Sequence, residues 1–351
     1  MDEAELAFVS AYTEGDTDDG GFVSYEQAND DGTLNKLNAA PADSAMFLVI
    51  HPEENCLYTV QQTSGGVASA YRYDESTGKL TEINTQSAGS EGPCYINLDR
   101  EGEYAFIASY HGGTVAMLPI RDDGGLGEAT DVVDHGAGVK SDDVNPRPHS
   151  IGTGPQNEYA YALDLGLDEV RIYRVDYEAG KLRPAETPSV EMNEGSGPRH
   201  FEFHPNGEQM YIIHELDSTI ATLSYDPESG ALEVIETIST LPDDFEDDSY
   251  CADVHVHPTG RWVYGSNRGH DSIVTFEVDE NTGRLNVVDH ESTRGHWPRN
   301  FAIDPSGRYL HVENRRDDSI VSFEIDDETG LLSLTGQELE LSEPICMEFE
   351  T

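Results

Sequence analysis

The sequence predicts an all-β fold, a seven-bladed β-propeller of four-stranded antiparallel blades, from three observations. A glycine followed by leucine recurs seven times along 351 residues. A short polar turn recurs six times, each ahead of an apolar segment. The segments between these marks alternate apolar with polar residues, are rich in Val, Ile, Tyr and Phe, and carry no helical period.

Taken in order, the glycine marks are Gly32-Thr33-Leu34, Gly78-Lys79-Leu80, Gly125-Leu126, Gly180-Lys181-Leu182, Gly230-Ala231-Leu232, Gly283-Arg284-Leu285 and Gly330-Leu331. They fall about 50 residues apart, a period that suits a blade of four strands. The polar turns are His51-Pro52-Glu53-Glu54, Asp99-Arg100-Glu101-Gly102, Gly154-Pro155-Gln156-Asn157, His204-Pro205-Asn206-Gly207, His257-Pro258-Thr259-Gly260 and Asp304-Pro305-Ser306-Gly307. Strands such as Arg261 to Ser266 and Ser272 to Val278 lie between them. A ring must close or leave an exposed sheet edge. The missing turn is therefore explained if the N-terminal strand, Leu6 to Tyr12, completes the last blade, with Ser333 to Phe349 packing beside Glu5 to Gln27. No linker interrupts the repeats, so residues 1–351 read as one domain.

Sixty-nine Asp and Glu stand against 20 Lys and Arg, only four of them lysines, for a formal charge of -49. Disorder is excluded by 36% hydrophobic residues and 28 Phe and Tyr in alternating runs, enough to bury a core. Acid spread over every segment fits a protein from a salt-loving cell, with salt cations on its surface screening self-repulsion. The same charge argues against nucleic acid and anionic membrane as partners. Cys56, Cys94, Cys251 and Cys346 lie far apart and read as reduced core residues. No motif calls for a metal or another cofactor. The N-terminal segment lacks a basic, apolar leader, and a cytoplasmic location is expected.

Label the strands of a blade A to D from channel to rim. The start of A and the end of B then share the edge opposite the A–B turn, and residues equidistant from the turn are expected to face each other. Arg199 with Glu215, His149 with Asp164, Asp253 with Arg268, and Arg299 with Asn314 are such pairs. One edge of the channel is thereby expected to gather these eight residues with His200, Asn267 and Asn300. Three arginines at equivalent places in a cation-poor chain read either as inter-blade ion pairs or as a clamp for an anion or oxyanion. Glu215 reads equally as a structural carboxylate or a base. His149 follows the stiff Pro146-Arg147-Pro148 after a long polar loop, Asp131 to Asn145, and is a better base candidate than a histidine inside a strand. His51, His204 and His257 recur at turns and are assigned to turn hydrogen bonding. Asp217-Ser218, Asp271-Ser272 and Asp318-Ser319 are assigned to closing the B–C turns.

At these residues the chain resembles the seven-bladed lactonase family, which includes propeller-type 6-phosphogluconolactonase and the fungal carboxy-muconate lactonising enzyme. The resemblance rests on Pro148-His149-Ser150, Asp164-Leu165-Gly166, Gly197-Pro198-Arg199-His200, Glu215-Leu216-Asp217-Ser218, Ser266-Asn267-Arg268-Gly269-His270-Asp271-Ser272 and Pro298-Arg299-Asn300-Phe301. It implies an active site of His149, Arg199, Glu215 and Arg268; the other residues of the same channel edge, His200, Asp164, Asp253, Asn267, Arg299, Asn300 and Asn314, are expected around the substrate. The early blades depart from the family pattern at Thr59-Val60-Gln61-Gln62, Pro93-Cys94-Tyr95 and Ala108-Ser109-Tyr110.

The expected activity is hydrolysis of a sugar lactone of the 6-phosphogluconolactone or gluconolactone class, with an anionic small-molecule substrate. His149 or Glu215 would activate water, and Arg199 and Arg268 would hold the anion or oxyanion. A lactonising cycloisomerase and a non-catalytic binding propeller are the alternatives.

Overall fold

The structure, a computed structural model, describes residues 5–12, 21–137 and 145–350. Every regular element among them is a strand, and the strands form seven four-stranded antiparallel sheets. Blades 1 to 6 begin on the inner strands Ala45–Ile50, Pro93–Leu98, Pro148–Thr153, Pro198–Phe203, Tyr250–Val256 and Pro298–Ile303. Each continues outward through three further strands in sequence order. Blade 7 runs from Pro344–Phe349 at the centre through Glu5–Ala11 and Gly21–Gln27 to Leu34–Pro41. Its A and B strands come from opposite ends of the chain, so it has no A–B turn, which accounts for six turns against seven glycine marks.

The N-terminal segment thus supplies three strands of the closing blade, and only Pro344–Phe349 joins them from the other end. The preceding Leu332–Glu340 is the outer strand of blade 6, so of the stretch from Ser333 to Phe349 only its last part packs beside Glu5–Ala11. Within the expected loop from Asp131 to Asn145, Asp131–Asp134 is the outer strand of blade 2; residues 138–144 lie outside the described residues.

The glycine marks have a mechanical origin. Tyr58, Tyr161, Tyr211 and Tyr264, buried on their B strands, donate their hydroxyls to the carbonyls of Gly124, Gly230, Gly283 and Gly330 in the next blade, at 2.9 to 3.0 Å. At Gly230, φ is +69° and a Cβ would lie 2.4 Å from the ring of Tyr159, so the turn requires glycine on both counts. The leucine that follows begins the outer strand and is buried at Leu182, Leu232 and Leu285. In the last mark the buried residue is Leu332, one place beyond the exposed Leu331. Each such hydroxyl bond contributes on the order of 1 kcal/mol and fixes the angle between blades.

The turn histidines stitch the ring at the same face, nearer the channel. His51 Nδ1 accepts the N–H groups of Glu53 and Glu54, and His204 and His257 Nδ1 accept those of Asn206 and Thr259. That leaves Nε2–H to donate to Gly102, Gly260 and Gly307 of the following blade, at 3.2, 2.8 and 2.7 Å. Their role is turn formation, as expected, together with inter-blade attachment.

One irregularity positions the functional site. Every A strand carries a bulge at the same level, where its ladder with strand B skips a residue. The skipped residues are Met46, Cys94, His149, Arg199, Arg299 and Ile345, and in blade 5 Ala252 with Asp253. A bulge re-aims the side chain it carries.

Candidate active site

Bulging frees Arg199 from the ladder, in which Pro198 faces His214 and His200 faces Ile213. Its side chain, in a residue only 1% exposed, turns toward the B-strand end. There Nε donates to Glu215 Oε2 at 3.0 Å, and Nη1 donates to the Ala252 carbonyl of blade 5. The same Glu215 oxygen lies 3.2 Å from Arg268 Nη2. Arg268 is held further by the carbonyls of Tyr250 and Cys251 at 3.2 and 2.7 Å. Burial alone would push the Glu215 carboxyl up, but Arg268, Arg199 and Arg299 outweigh it and hold it below its ordinary value. Glu215 is therefore an anionic hinge between two guanidinium groups.

Arg299 occupies the equivalent bulge of blade 6 and makes no hydrogen bond or ion pair among the described residues. Burial, then repulsion by Arg199, Arg268 and Arg315, lower its pKa to about 9. Arg268 falls to about 10, chiefly by burial. A guanidinium titrating so low is a cation waiting for a counter-charge.

His149, 5% exposed, sits at the bulge of blade 3. Its ring packs edge-on against Tyr110 and His200, with centroids 5.8 and 5.2 Å away. Burial first, then the charges of Arg199, His200, Arg299 and Arg268, hold its pKa well below 6.5. It is a neutral imidazole, and its buried Nδ1 has no hydrogen-bond partner among the described residues. His200, one residue past the blade 4 bulge, is brought to about 4 by burial and by Arg199, against the pull of Asp253. Its Nδ1 donates to Asp253 Oδ1 at 2.7 Å. Asp253 Oδ2 also takes the Asn300 amide, and Asn300 Oδ1 accepts Met347 N–H at 3.0 Å.

The structure therefore brings together His149, Arg199, His200, Glu215, Asp253, Arg268, Arg299 and Asn300. Asp253 and Arg268 are not facing partners: Arg268 pairs with Tyr250 and Asp253 belongs to the bulge. Followed out from the turn, the ladder brings Asp253 level with Ser266, whose Oγ accepts its N–H at 3.0 Å, two residues short of Arg268. Asp164 lies opposite Pro148 rather than His149. Its carboxylate is consumed by Arg147, Gly166 and Leu167 N–H groups at 2.7 to 3.1 Å and by His135 Nδ1 at 2.7 Å. Asn267 donates to the Thr240 carbonyl and Asn314 to that of Thr293, at 2.9 and 3.0 Å. These three occupy equivalent B-strand ends whose side chains fasten the neighbouring loop, while the residue that follows reaches the rim. Arg268 and Arg315 follow Asn267 and Asn314, as Glu215 follows His214 at the equivalent strand end of blade 4.

Arg315 went unnoticed in the sequence although Asn314-Arg315 repeats Asn267-Arg268. It pairs with Glu343 at 2.7 Å and lies over the Tyr12 ring. Trp297, with φ +67°, is sandwiched between the guanidinium groups of Arg268 and Arg316. Together with Arg315, Arg316, Asp318 and Glu343 it lines a rim cavity of about 360 Å³. His255 is the other residue missed; strand alternation from Asp253 puts it on the same face. Among the described residues, no three His, Cys, Asp or Glu side chains are grouped to hold a metal ion.

The arrangement can bind an anion, polarise a carbonyl and offer a neutral base beside it. Comparison with known proteins agrees in kind. The 6-phosphogluconolactonase of Bacillus subtilis is 34% identical over 302 residues, covering 85% of each chain. That of Pectobacterium carotovorum is 35% identical over 260 residues, covering 73% of each. The solved periplasmic gluconolactonase of Pseudomonas aeruginosa superposes with a TM-score of 0.92 at 31% identity, over 99% of each chain. A family model described as a seven-bladed β-propeller lactonase matches residues 6–349, and the chain belongs to that lactonase family.

Proposed function

We propose that this protein hydrolyses a sugar lactone carrying an anionic group, of the 6-phosphogluconolactone class. The observation that carries this reading is the charge left unpaired at the rim. Arg199 and Arg268 share the one carboxylate of Glu215, and Arg299 beside them has no ion-pair partner among the described residues, so three guanidinium groups exceed their carboxylate by two positive charges. In a chain of net charge -49, such a spot holds its substrate's anion by local geometry alone.

In the mechanism, Arg299 takes the substrate anion while Arg199 and Arg268 face the lactone carbonyl and stabilise the oxyanion as water adds. Neutral His149 accepts the proton of that water, the oxyanion and the bound anion offset the imidazolium it becomes, and as the tetrahedral intermediate collapses the ring C–O bond breaks and the departing oxygen takes the proton from His149. Glu215 keeps the two arginines in register and is too weak a base to compete. Asn300 and His200 hold neighbouring groups in place. The acidic surface supports the further reading of work in a salt-rich cytoplasm.

The test is a panel of aldonolactones opened in high salt. The phosphorylated δ-lactone is expected to react fastest and gluconolactone more slowly; a panel in which no lactone opens above its spontaneous rate overturns the proposal.

A further inference from the structure

Beneath the arginines a second polar chain runs down the channel. Arg199 Nη1 lies 3.2 Å from Nε2 and 3.4 Å from Nδ1 of His200, so the guanidinium bears on the imidazole. His200 Nδ1 is engaged with Asp253 Oδ1 at 2.7 Å. Asp253 Oδ2 meets His255 Nε2 at 3.1 Å, and His255 Nδ1 meets Glu202 Oε2 at 3.1 Å. His255 and Glu202 open into a cavity of about 440 Å³ at the other mouth of the channel, shared with Glu348. This chain crosses from blade 4 to blade 5 and back, tying the two mouths together.

We propose that Asp253 and His255 are positioning residues for the reaction, setting through His200 the orientation of the Arg199 guanidinium.

Near-equal distances to the two ring nitrogens put Nη1 over the face of the imidazole, where a neutral ring supports a guanidinium and a protonated one repels it. The plane of that ring is set by Nδ1–H, which requires an ionised acceptor at Asp253. Asp253 is buried, which opposes its charge, but His255 and His200 outweigh burial and hold it far below the ordinary carboxylate range. His255 keeps its own charge against burial because Asp253 and Glu202 face it, with Glu313 and Glu348 near. Without that cation Asp253 takes up a proton, His200 loses the acceptor that fixes its ring plane, and the face on which Arg199 rests is released. The resemblance to a carboxylate that fixes the tautomer of a catalytic histidine is one of logic; here the group finally oriented is an arginine.

The kinetic consequence rests on the lactonase reading, but the tautomer does not. The test combines nitrogen-15 NMR of histidine-labelled protein, with His200→Gln identifying the resonances, and steady-state kinetics of His255→Gln and Asp253→Asn. The expected result is Nδ1 protonated on His200 in the unsubstituted protein. The kinetics should show kcat falling at least about tenfold in both variants, with KM within about twofold. A proton on Nε2 of His200 overturns the inference, and so does unchanged kcat in a folded His255→Gln. Should the variants not fold, the tautomer of the unsubstituted protein decides. Should no lactone react, the lactonase reading fails while the tautomer still reports on the chain.

Discussion

The seven inner strands carry the same bulge, yet the ring has two unlike halves. In blades 3 to 6 the bulge presents His149, Arg199, Asp253 and Arg299; in blades 7, 1 and 2 it presents Ile345, Met46 and Cys94. The apolar half then sets the rings of Phe47 and Tyr95 against His200, with centroids 5.7 and 5.1 Å away. One half supplies charge and the other a wall of low polarisability against which charge acts strongly. The backbone device is common to both, so chemistry enters through the side chain alone.

Substitutions can test that division. The largest effect is expected at the centre of the polar half: Arg199→Met should lower kcat by about 100- to 1000-fold with the circular dichroism spectrum retained. An equal kcat would move the oxyanion elsewhere. Glu215→Gln should leave Arg199 and Arg268 uncompensated and cost roughly 3 kcal/mol of stability, read as a lower denaturation midpoint in urea. Arg299→Met should raise KM for the phosphorylated lactone by about tenfold and leave gluconolactone unaffected. In the unsubstituted protein that preference should fade as pH rises through about 9, where Arg299 loses its proton. The smallest effect belongs to the apolar half: Met46→Leu conserves volume and should cost less than about 1.5 kcal/mol, with kcat unchanged. A large loss of activity there would erase the distinction between the halves.

Much of this was legible in the residues themselves. Gly230, Gly283 and Gly330 announced their blades because a tyrosine of the preceding blade donates to each of their carbonyls where no side chain fits. Arg199 and Glu215 meet, as their distance from Gly207 implies. The pairing of Asp253 with Arg268 failed because the ladder is centred closer to the turn than the sequence midpoint, which sets Asp253 level with Ser266, and Asp164 failed because its strand end points between blades. His255 left a faint trace, its two-residue spacing from Asp253; the meaning of that spacing lies in Glu202, 53 residues earlier.

Closure of the ring bears on more than shape. The backbone of Met347, in the strand that seals blade 7, donates to Asn300, and Asn300 donates to Asp253. The clasp is thus wired to the support of Arg199. Joining it pairs Ser10 with Cys346, a contact between opposite ends of the chain that closes the longest loop in the ring. A chain open at the clasp lacks the Met347 bond to Asn300 and, through it, one anchor of the Asp253 carboxylate on which His200 and Arg199 rest, so a fault at either chain end reaches the rim arginines without touching them.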